Sequence, residues 1–360
     1  MKLFLAGITF VFFAQCDIVR SKGVRVPSTV YDNLSQYGFF MEPMSDLIPS
    51  EGVLPYDLNS PLFTDYAQKA RFVWMPEGSS AKYTTDHALD FPVGAVLIKN
   101  FYYFHDEANP ETGKRILETR ILINRGDEWE AVSYIWNDEQ TDARREIIGD
   151  ITQVTWNDAA GEQHDINYIV PNINQCKGCH GYDNKQKPIG PKVRNLNKDF
   201  AYADGTMNQL AKWAQVGYLT GYDEAVEHPS VAVWDDASKD LHDRALSYLD
   251  INCGHCHNPR GAANTSGLTL LADSELGTDL GVYKATVSAG AGTGGHTYSI
   301  VPGHPDESIM IYRMKSRDPG AMMPELGRSL VHEEGVQLIA DWISSIPSDQ
   351  FSKDIRTSLN

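Results

Sequence analysis

The first half of the chain alternates between apolar and polar positions in short segments, a pattern typical of β-strands. Runs rich in branched and aromatic residues are separated by turn signals containing asparagine, aspartate and glycine, as at 124–127 and 157–161. The predicted strands are Val93–Phe104, Arg115–Ile123, Trp129–Trp136, Ile151–Trp156 and Ile166–Val170. Several short strands at close spacing predict an antiparallel sandwich or barrel.

After Pro171 the apolar positions recur at helical spacing instead. Apolar stripes lie at 210–217, 241–249 and 336–346, and each predicts an amphipathic helix. A glycine-rich stretch at 288–295 is predicted to be a loop. It lacks the Lys-Ser/Thr pair of a phosphate-binding P-loop and does not join a strand to a helix in a βαβ unit, so it gives no reason to expect a nucleotide.

The N-terminus has the pattern of a secretory signal peptide. A basic start at Lys2 is followed by an apolar run from Leu3 to Ala14, shorter than the roughly 20 residues that span a bilayer. We therefore predict a signal peptide at 1–16 and an exported, periplasmic protein; the alternative is a buried N-terminal element. Membrane contact is expected only if Cys16 is lipidated, as in a membrane-anchored lipoprotein, and Gln15 stands where lipoproteins carry a small residue.

Composition and charge narrow the class of protein. The chain has 360 residues, 42% of them hydrophobic and 22% charged, which is ordinary globular composition. Its formal net charge of −17 repels phosphate backbones and anionic lipid, so no nucleic acid partner is expected. Most of the negative charge lies before residue 171, which makes that region the better place to look for a partner with a basic docking patch.

Two pentapeptides carry the chemistry: Cys176–His180 and Cys253–His257, each with the pattern Cys-x-x-Cys-His. This is the attachment signature of c-type haem. Two thiols about one helical turn apart reach the two vinyl groups of a porphyrin, and the next imidazole then lies under the iron. The sequence predicts two covalently bound haem c groups, with Cys176, Cys179, Cys253 and Cys256 as tethers and His180 and His257 as iron ligands.

Zinc binding and dithiol redox chemistry are the alternatives for these motifs. Four cysteines and two histidines could even form a single zinc site. Neither alternative requires a histidine directly after both second cysteines, and an exported protein favours haem attachment or disulfides over free thiols. If four of the five cysteines tether haem and Cys16 lies in the export segment, no disulfide is expected in the mature fold.

The sixth iron ligands are harder to assign. Met323 lies in the loop Gly320–Gly327 and precedes Pro324, so its thioether is predicted to bind the second haem, with Met322 as the rival. The first haem has several candidate ligands or an open site; the candidates are Met207, Met314, His105, His228 and His242.

With these motifs placed, the chain resembles a family of exported bacterial dihaem c-type cytochromes over nearly everything after the signal. The matching stretches are Tyr56–Phe63, Lys69–Phe72, Phe91–Gly94, Pro171–Gln175 and Tyr248–Asn252. The stretches Val301–Ser308, Met323-Pro324 and Trp342-Ile343 also resemble many haem-containing domains fused to other modules, and this second similarity supports Met323 as an axial ligand. The family resemblance implies electron transfer in the periplasm or at a bacterial surface. It implies no particular substrate.

The predicted fold class is therefore a multidomain chain, mostly β at its N-terminus and followed by mostly α, cytochrome c-like haem domains. The predicted regions are an acidic β-rich domain at 24–170, a first haem-binding region at 171–235 and a second haem domain at 236–348.

We expect an electron carrier rather than an enzyme. One alternative is a dihaem enzyme, such as a peroxidase with an open site at the first haem. Another gives the main function to the acidic β-rich region, where Asp138, Glu139 and Asp142 are candidate calcium ligands but more typical of a solvated loop.

Overall fold

The computed structural model describes residues 23–348 and 351. The predicted signal peptide and Cys16 lie outside them. The strands, in chain order, are β1 (Val53–Tyr56), β2 (Gln68–Trp74), β3 (Ala81–Lys82), β4 (Val96–Phe104), β5 (Lys114–Asn124), β6 (Trp129–Trp136), β7 (Ala143–Glu146), β8 (Asp150–Asn157), β9 (Gln163–Val170), β10 (Gly181–Tyr182), β11 (Lys185–Gln186), β12 (Asp199–Tyr202), β13 (Gly205–Asn208) and β14 (Leu219–Thr220). The helices are α1 (Ile173–His180), α2 (Val193–Leu196), α3 (Gln209–Gln215), α4 (Leu241–Leu249), α5 (Ile309–Lys315) and α6 (Glu333–Ser345).

An open six-stranded antiparallel sheet organises the first half of the chain, with strand order β1-β2-β4-β5-β6-β7. Because side chains alternate between the two faces of a strand, each face collects every second residue. One face buries Ile98, Ile121 and Tyr134 beneath the N-terminal segment, whose short 3₁₀ helices Leu34–Tyr37 and Met44–Asp46 contribute further apolar side chains.

The opposite face of the sheet packs against the second half of the chain. At the start of β4, apolar residues of this face, including Leu97, share a core with Trp213 of α3, Leu196 of α2 and Ile251. Further along β4, Phe101 shares a core with apolar residues of the β8–β9 hairpin. The sheet is thus buried on both faces, and its second face is shared with the segments that carry the two Cys-x-x-Cys-His motifs.

The C-terminal part forms its own core from α4, α5 and α6. α6 has a buried stripe that includes Ile339, Trp342 and Ile343, and it packs against Leu249 of α4 and Ile311 of α5. Between α4 and α5 the chain runs through turns and short 3₁₀ helices. In the part of the chain that the structure describes, no helix is both long and apolar enough to cross a bilayer.

The predicted fold class is wrong. The described residues are mostly β, with a six-stranded antiparallel sheet and only 22% helix in six helices, and they contain no helical cytochrome c-like domain. The apolar stripes at 241–249 and 336–346 do form α4 and α6. The segment between α4 and α5, however, contains ten glycines and three prolines, which favour turns over helix. The main sheet is also open, with β1 and β7 at its edges, rather than a sandwich or barrel.

Candidate functional site

The first motif lies on α1, and the sequence before it fixes where that helix begins. The Asn172 side chain accepts hydrogen bonds from the backbone N–H groups of Asn174 and Gln175, while the Gln175 side chain accepts one from the Asn172 N–H. This reciprocal cap starts the helix at Ile173, three residues before Cys176. Cys176, Cys179 and His180 therefore occupy the last two turns of α1, as their spacing predicts.

The His180 ring is oriented by the chain that follows it. The β10–β11 hairpin turns back at Asp183 and Asn184, which both have left-handed backbone conformations. The Lys187 carbonyl then lies 2.7 Å from His180 Nδ1. Nδ1 must carry the proton to donate to a carbonyl, so Nε2 has a free lone pair. Burial lowers the pKa of His180 to about 4, which keeps the ring in the neutral form that binds a metal.

The second motif continues from α4. Asp240 caps the helix by accepting from the N–H groups of His242 and Asp243, and the last residues pass into a π-helical turn, Asp250–Gly254. A Cβ at Gly254 would collide with the Leu270 carbonyl oxygen, so glycine is required for this close approach of backbone.

His257, like His180, has its Nδ1 hydrogen-bonded, but its partner is a side-chain hydroxyl rather than a backbone carbonyl. Its Nδ1 lies 3.0 Å from the Ser266 hydroxyl, and that hydroxyl donates its own proton to the Ala263 carbonyl at 2.7 Å. The hydroxyl must therefore accept from His257 Nδ1–H, which leaves Nε2 free. Burial lowers the pKa of His257 to about 4, so this imidazole is also neutral. Each predicted iron ligand thus has its second nitrogen engaged, as metal-binding histidines usually do.

The two motifs contact each other although 77 residues separate their first cysteines (253 minus 176). Cys256 Sγ lies 3.7 Å from the Gly178 carbonyl oxygen. The hairpin after the first motif is attached to the loop after the second, where Arg260 forms an ion pair with Asp183 and its guanidinium lies 4.4 Å from the centre of the Tyr182 ring. The fold therefore holds both motifs at one place.

Protonation of the four thiols is uneven. Burial raises the pKa of Cys176, and raises that of Cys253 to about 12, so both stay protonated. Cys179 and Cys256 lie close together: a hydrogen bond from Cys256 lowers the pKa of Cys179 and raises that of its partner. The two thiols that contact each other thus come from different motifs rather than from one Cys-x-x-Cys pair.

A large cavity lies between the sheet and the two motifs. It holds about 1560 Å³ of space that is not filled by atoms, part of it open to solvent. Its wall is mostly apolar, and it contains residues of the sheet, of both motifs and of the predicted methionine loop: Leu97, Lys99, Arg120, Cys176, Cys179, His180, Cys253, His255, Met323 and His332. Cys256 and His257 are not among the lining residues.

These residues fit a haem. The cavity offers an apolar wall, thiols and a neutral imidazole, the requirements of a covalently held porphyrin. It also contains an unsatisfied buried cation: Arg71 is 5% exposed, and its Nη2 has no hydrogen-bond partner among the described residues. An orphaned donor in such a position indicates a group that the protein atoms do not supply.

The loop that carries Met323 is held from two sides. Arg328 donates to the Met323 carbonyl, and the Met323 N–H donates to the Arg313 carbonyl at 3.0 Å. The Asp65 carboxylate accepts from the N–H groups of Ser329 and Leu330 at 2.7 to 2.9 Å. Met323 thereby lies on the cavity wall, whereas its rival Met322 is not among the lining residues.

The other candidate sixth ligands divide into two groups. Met314 lines the cavity. Met207, His105, His228 and His242 do not; His228 binds Tyr83 and the Asp223 carbonyl, and His242 accepts from the Trp342 indole.

Sequence reasoning missed two histidines that line the cavity, His255 and His332. His332 stacks on Phe63 with ring centres 4.2 Å apart, and its Nδ1 lies 3.0 Å from the Tyr248 hydroxyl. Burial lowers the pKa of His332 to about 4, so its ring is neutral. His255 could have been found from its place inside the second motif, but His332 has no local sequence pattern that marks it.

Neither the alternative zinc site nor the alternative calcium site has its ligands brought together among the described residues. The described residues contain one group of three metal-ligating side chains within 4.8 Å of one another, and it consists of Asp158, Glu162 and His164 rather than of cysteines. Asp158 already accepts hydrogen bonds from His164 and from two backbone N–H groups, so it organises the β8–β9 turn.

The candidate calcium ligands also have structural partners. Asp138 pairs with Arg115, and Asp142 accepts from the N–H and hydroxyl of Ser35.

Comparison of the chain with protein-family models, with curated proteins and with solved structures gives no match.

Proposed function

We propose that this protein is a dihaem c-type cytochrome that transfers electrons outside the cytoplasm. The observation that carries the proposal is the paired arrangement of the two motifs: they contact each other, and each histidine has its Nδ1 hydrogen-bonded and its Nε2 free. Two covalently bound haem c groups would supply one-electron redox chemistry at this place.

The chain's own residues account for binding and orientation. Cys176 and Cys179, with Cys253 and Cys256, would hold the porphyrins through thioether bonds, and His180 and His257 would bind the irons. The Met323 sulfur would occupy a sixth position, where a thioether raises the reduction potential. The sheet residues on the cavity wall would exclude water from one side of a bound haem. Limited access of solvent to the haem suits an electron carrier, because it helps to set the reduction potential.

The acidic surface favours a redox partner with a basic docking patch. Export to the periplasm, through the predicted signal peptide at 1–16, is part of the same proposal because haem c attachment is a feature of exported proteins. A lipid anchor at Cys16 would add membrane contact. No nucleic acid partner is proposed.

The test is haem content per chain, measured as the pyridine haemochrome of protein matured in a host that attaches haem c. We expect two haems in the wild type and one in each of the paired variants Cys176→Ser/Cys179→Ser and Cys253→Ser/Cys256→Ser. His242→Gln is the matched control, since His242 lies outside the cavity, and it should retain two. A wild type without haemochrome, or with stoichiometric zinc, would refute the proposal.

The rival function is a dihaem peroxidase. One observation favours it: the neutral imidazole of His332 lines the same cavity as His180 and could serve acid–base chemistry beside an open iron, while the guanidinium of Arg120 on the same wall could stabilise negative charge on a bound oxygen. Turnover of hydrogen peroxide that is lost in His332→Gln would support the enzyme. Low-temperature EPR showing two six-coordinate irons and no turnover would support the carrier.

A further inference from the structure

A row of three basic residues crosses the face of the sheet that packs against the two motifs. Arg71 on β2 lies opposite Lys99 on β4, and Lys99 lies opposite Arg120 on β5. Neighbouring strands are about 4.8 Å apart, so the three side chains leave the same face within about 10 Å of sheet. All three line the cavity between the sheet and the two motifs.

The row has too few carboxylates to balance it. Arg71 Nη1 binds Asp57 at 2.7 Å, but Asp57 also pairs with Lys198 at 3.2 Å. Arg120 pairs with Glu118, which is fully buried and also accepts from a tyrosine hydroxyl. No ion pair of the described residues includes Lys99, whose ammonium lies over the Phe101 ring at 4.7 Å from its centre.

Burial and the neighbouring like charges both disfavour the charged form of the lysines here. Burial, followed by the neighbouring Arg71, Lys69 and Arg120, lowers the pKa of Lys99 well below its ordinary value. Burial, followed by Arg71 and Arg120, lowers the pKa of Lys69, two residues before Arg71, to about 7. Buried cations without counter-charge are costly, and proteins normally pair them. In a chain of net charge −17, such a concentration of positive charge in the interior calls for an anionic ligand.

We propose that the row of Arg71, Lys99 and Arg120 binds the propionate carboxylates of a haem held in this cavity. The inference rests on the proposed function and adds to it a role for the N-terminal sheet in holding the cofactor. The unpartnered Nη2 of Arg71 supplies a donor for a carboxylate oxygen, and Lys99, which forms no ion pair among the described residues, supplies an amino group that a propionate would pair.

The experiment compares the holoprotein with Arg71→Gln and Lys99→Met. Arg115→Gln is the matched control, because Arg115 lies on β5 and pairs with Asp138 away from the cavity. Lys99→Met is the safer variant for folding, since it removes a charge without stranding an ion-pair partner. Haem content, the propionate bending modes in resonance Raman spectra and the midpoint potentials are measured for each protein.

We expect two haems per chain in all four proteins. In Arg71→Gln and Lys99→Met the propionate modes should shift, and the midpoint potential of one haem should fall, because removing a nearby positive charge favours the ferric state. Arg115→Gln should match the wild type. Propionate modes and potentials unchanged in both row variants would overturn the inference, while a wild type without haem would refute the proposed function itself.

A small soluble carboxylate could bind the same row of basic residues in place of a haem propionate. Calorimetric titration of the holoprotein with oxalate tests it. Saturable oxalate binding that is lost in Arg71→Gln, with unmoved propionate modes, would assign the row to a soluble anion and overturn the haem assignment. The absence of oxalate binding, together with shifted propionate modes, would support the haem assignment.

Discussion

Replacing Arg328 should show most clearly what holds the loop that carries Met323 in place. Its side chain is buried, and its guanidinium contacts backbone carbonyls alone; these belong to Arg313, Met314, Ser316, Met323 and Leu330. Arg328 therefore holds the loop around Met323 to α5, beside the bonds from the Met323 N–H to the Arg313 carbonyl and from Arg313 Nε to the Ala321 carbonyl. The variant Arg328→Met removes these donors and keeps an apolar stem of similar length.

The magnitude follows from the carbonyls that lose their donors. Three of the contacts, to Ser316, Met323 and Leu330, are 3.0 Å or shorter. Each buried carbonyl left without a donor costs about 1 kcal/mol or more, so we expect the free energy of unfolding to fall by about 3 kcal/mol. This corresponds to more than a hundredfold change in the unfolding equilibrium constant.

Denaturant titration measures the loss of stability, and the charge-transfer band of methionine-ligated ferric haem reports on the loop. Arg317→Met is the matched control, because Arg317 is exposed on the same loop and should leave both readings unchanged. Equal midpoints for Arg328→Met and the control, with the charge-transfer band intact, would refute the argument that Arg328 holds the loop.

Three further variants test separate parts of the site. Gly254→Ala should destabilise the fold by about 1–3 kcal/mol and reduce haem content, because its Cβ meets a backbone oxygen, whereas Gly178→Ala has ordinary space and should be tolerated; equal haem content in both would contradict this. Asp250→Asn should cost about 3–5 kcal/mol at neutral pH by stranding two buried cations. Burial opposes ionisation of Asp250, but its basic partners outweigh burial and lower its pKa. Its contribution to stability is therefore complete above about pH 4 and is lost as the pH falls through the folded-state pKa. The stability difference between wild type and variant should close in acid, and a constant difference down to pH 2 would refute the assignment. Met323→Leu should abolish the charge-transfer band of methionine-ligated haem, and Met322→Leu should retain it; the reverse result would exchange the two assignments.

Local structure could be predicted from the sequence where one segment decides it alone. The predicted strand Trp129–Trp136 is β6, and the apolar stripe at 241–249 is α4. The reciprocal cap of Asn172 and Gln175 likewise fixes α1 from adjacent residues. Periodicity and capping depend on neighbours in the chain, so they are visible in the sequence.

The fold class could not be predicted, because it depends on how distant segments pack. The stripe at 210–217 does form a helix, α3, but its Trp213 is buried against sheet residues such as Leu97 rather than in a helical domain. The row of Arg71, Lys99 and Arg120 is invisible for the same reason. Its members come from three strands, and only the register of the sheet places them side by side.

The packing also changes how a functional role for the N-terminal region can be tested. Tyr56, Leu97, Leu196, Trp213 and Ile251 come from all three predicted regions, and they share one buried core. Asn252, directly before the second motif, accepts a hydrogen bond from the Phe63 N–H at 2.8 Å, so the start of the motif is fixed to the segment between β1 and β2. Removing 24–170 would therefore expose this core and open one wall of the cavity, and a loss of haem reduction would not distinguish a docking module from a structural one. Point variants such as Arg71→Gln and Lys99→Met instead test the role of the sheet in holding the cofactor, since they change the groups that face the cavity and leave the apolar core in place.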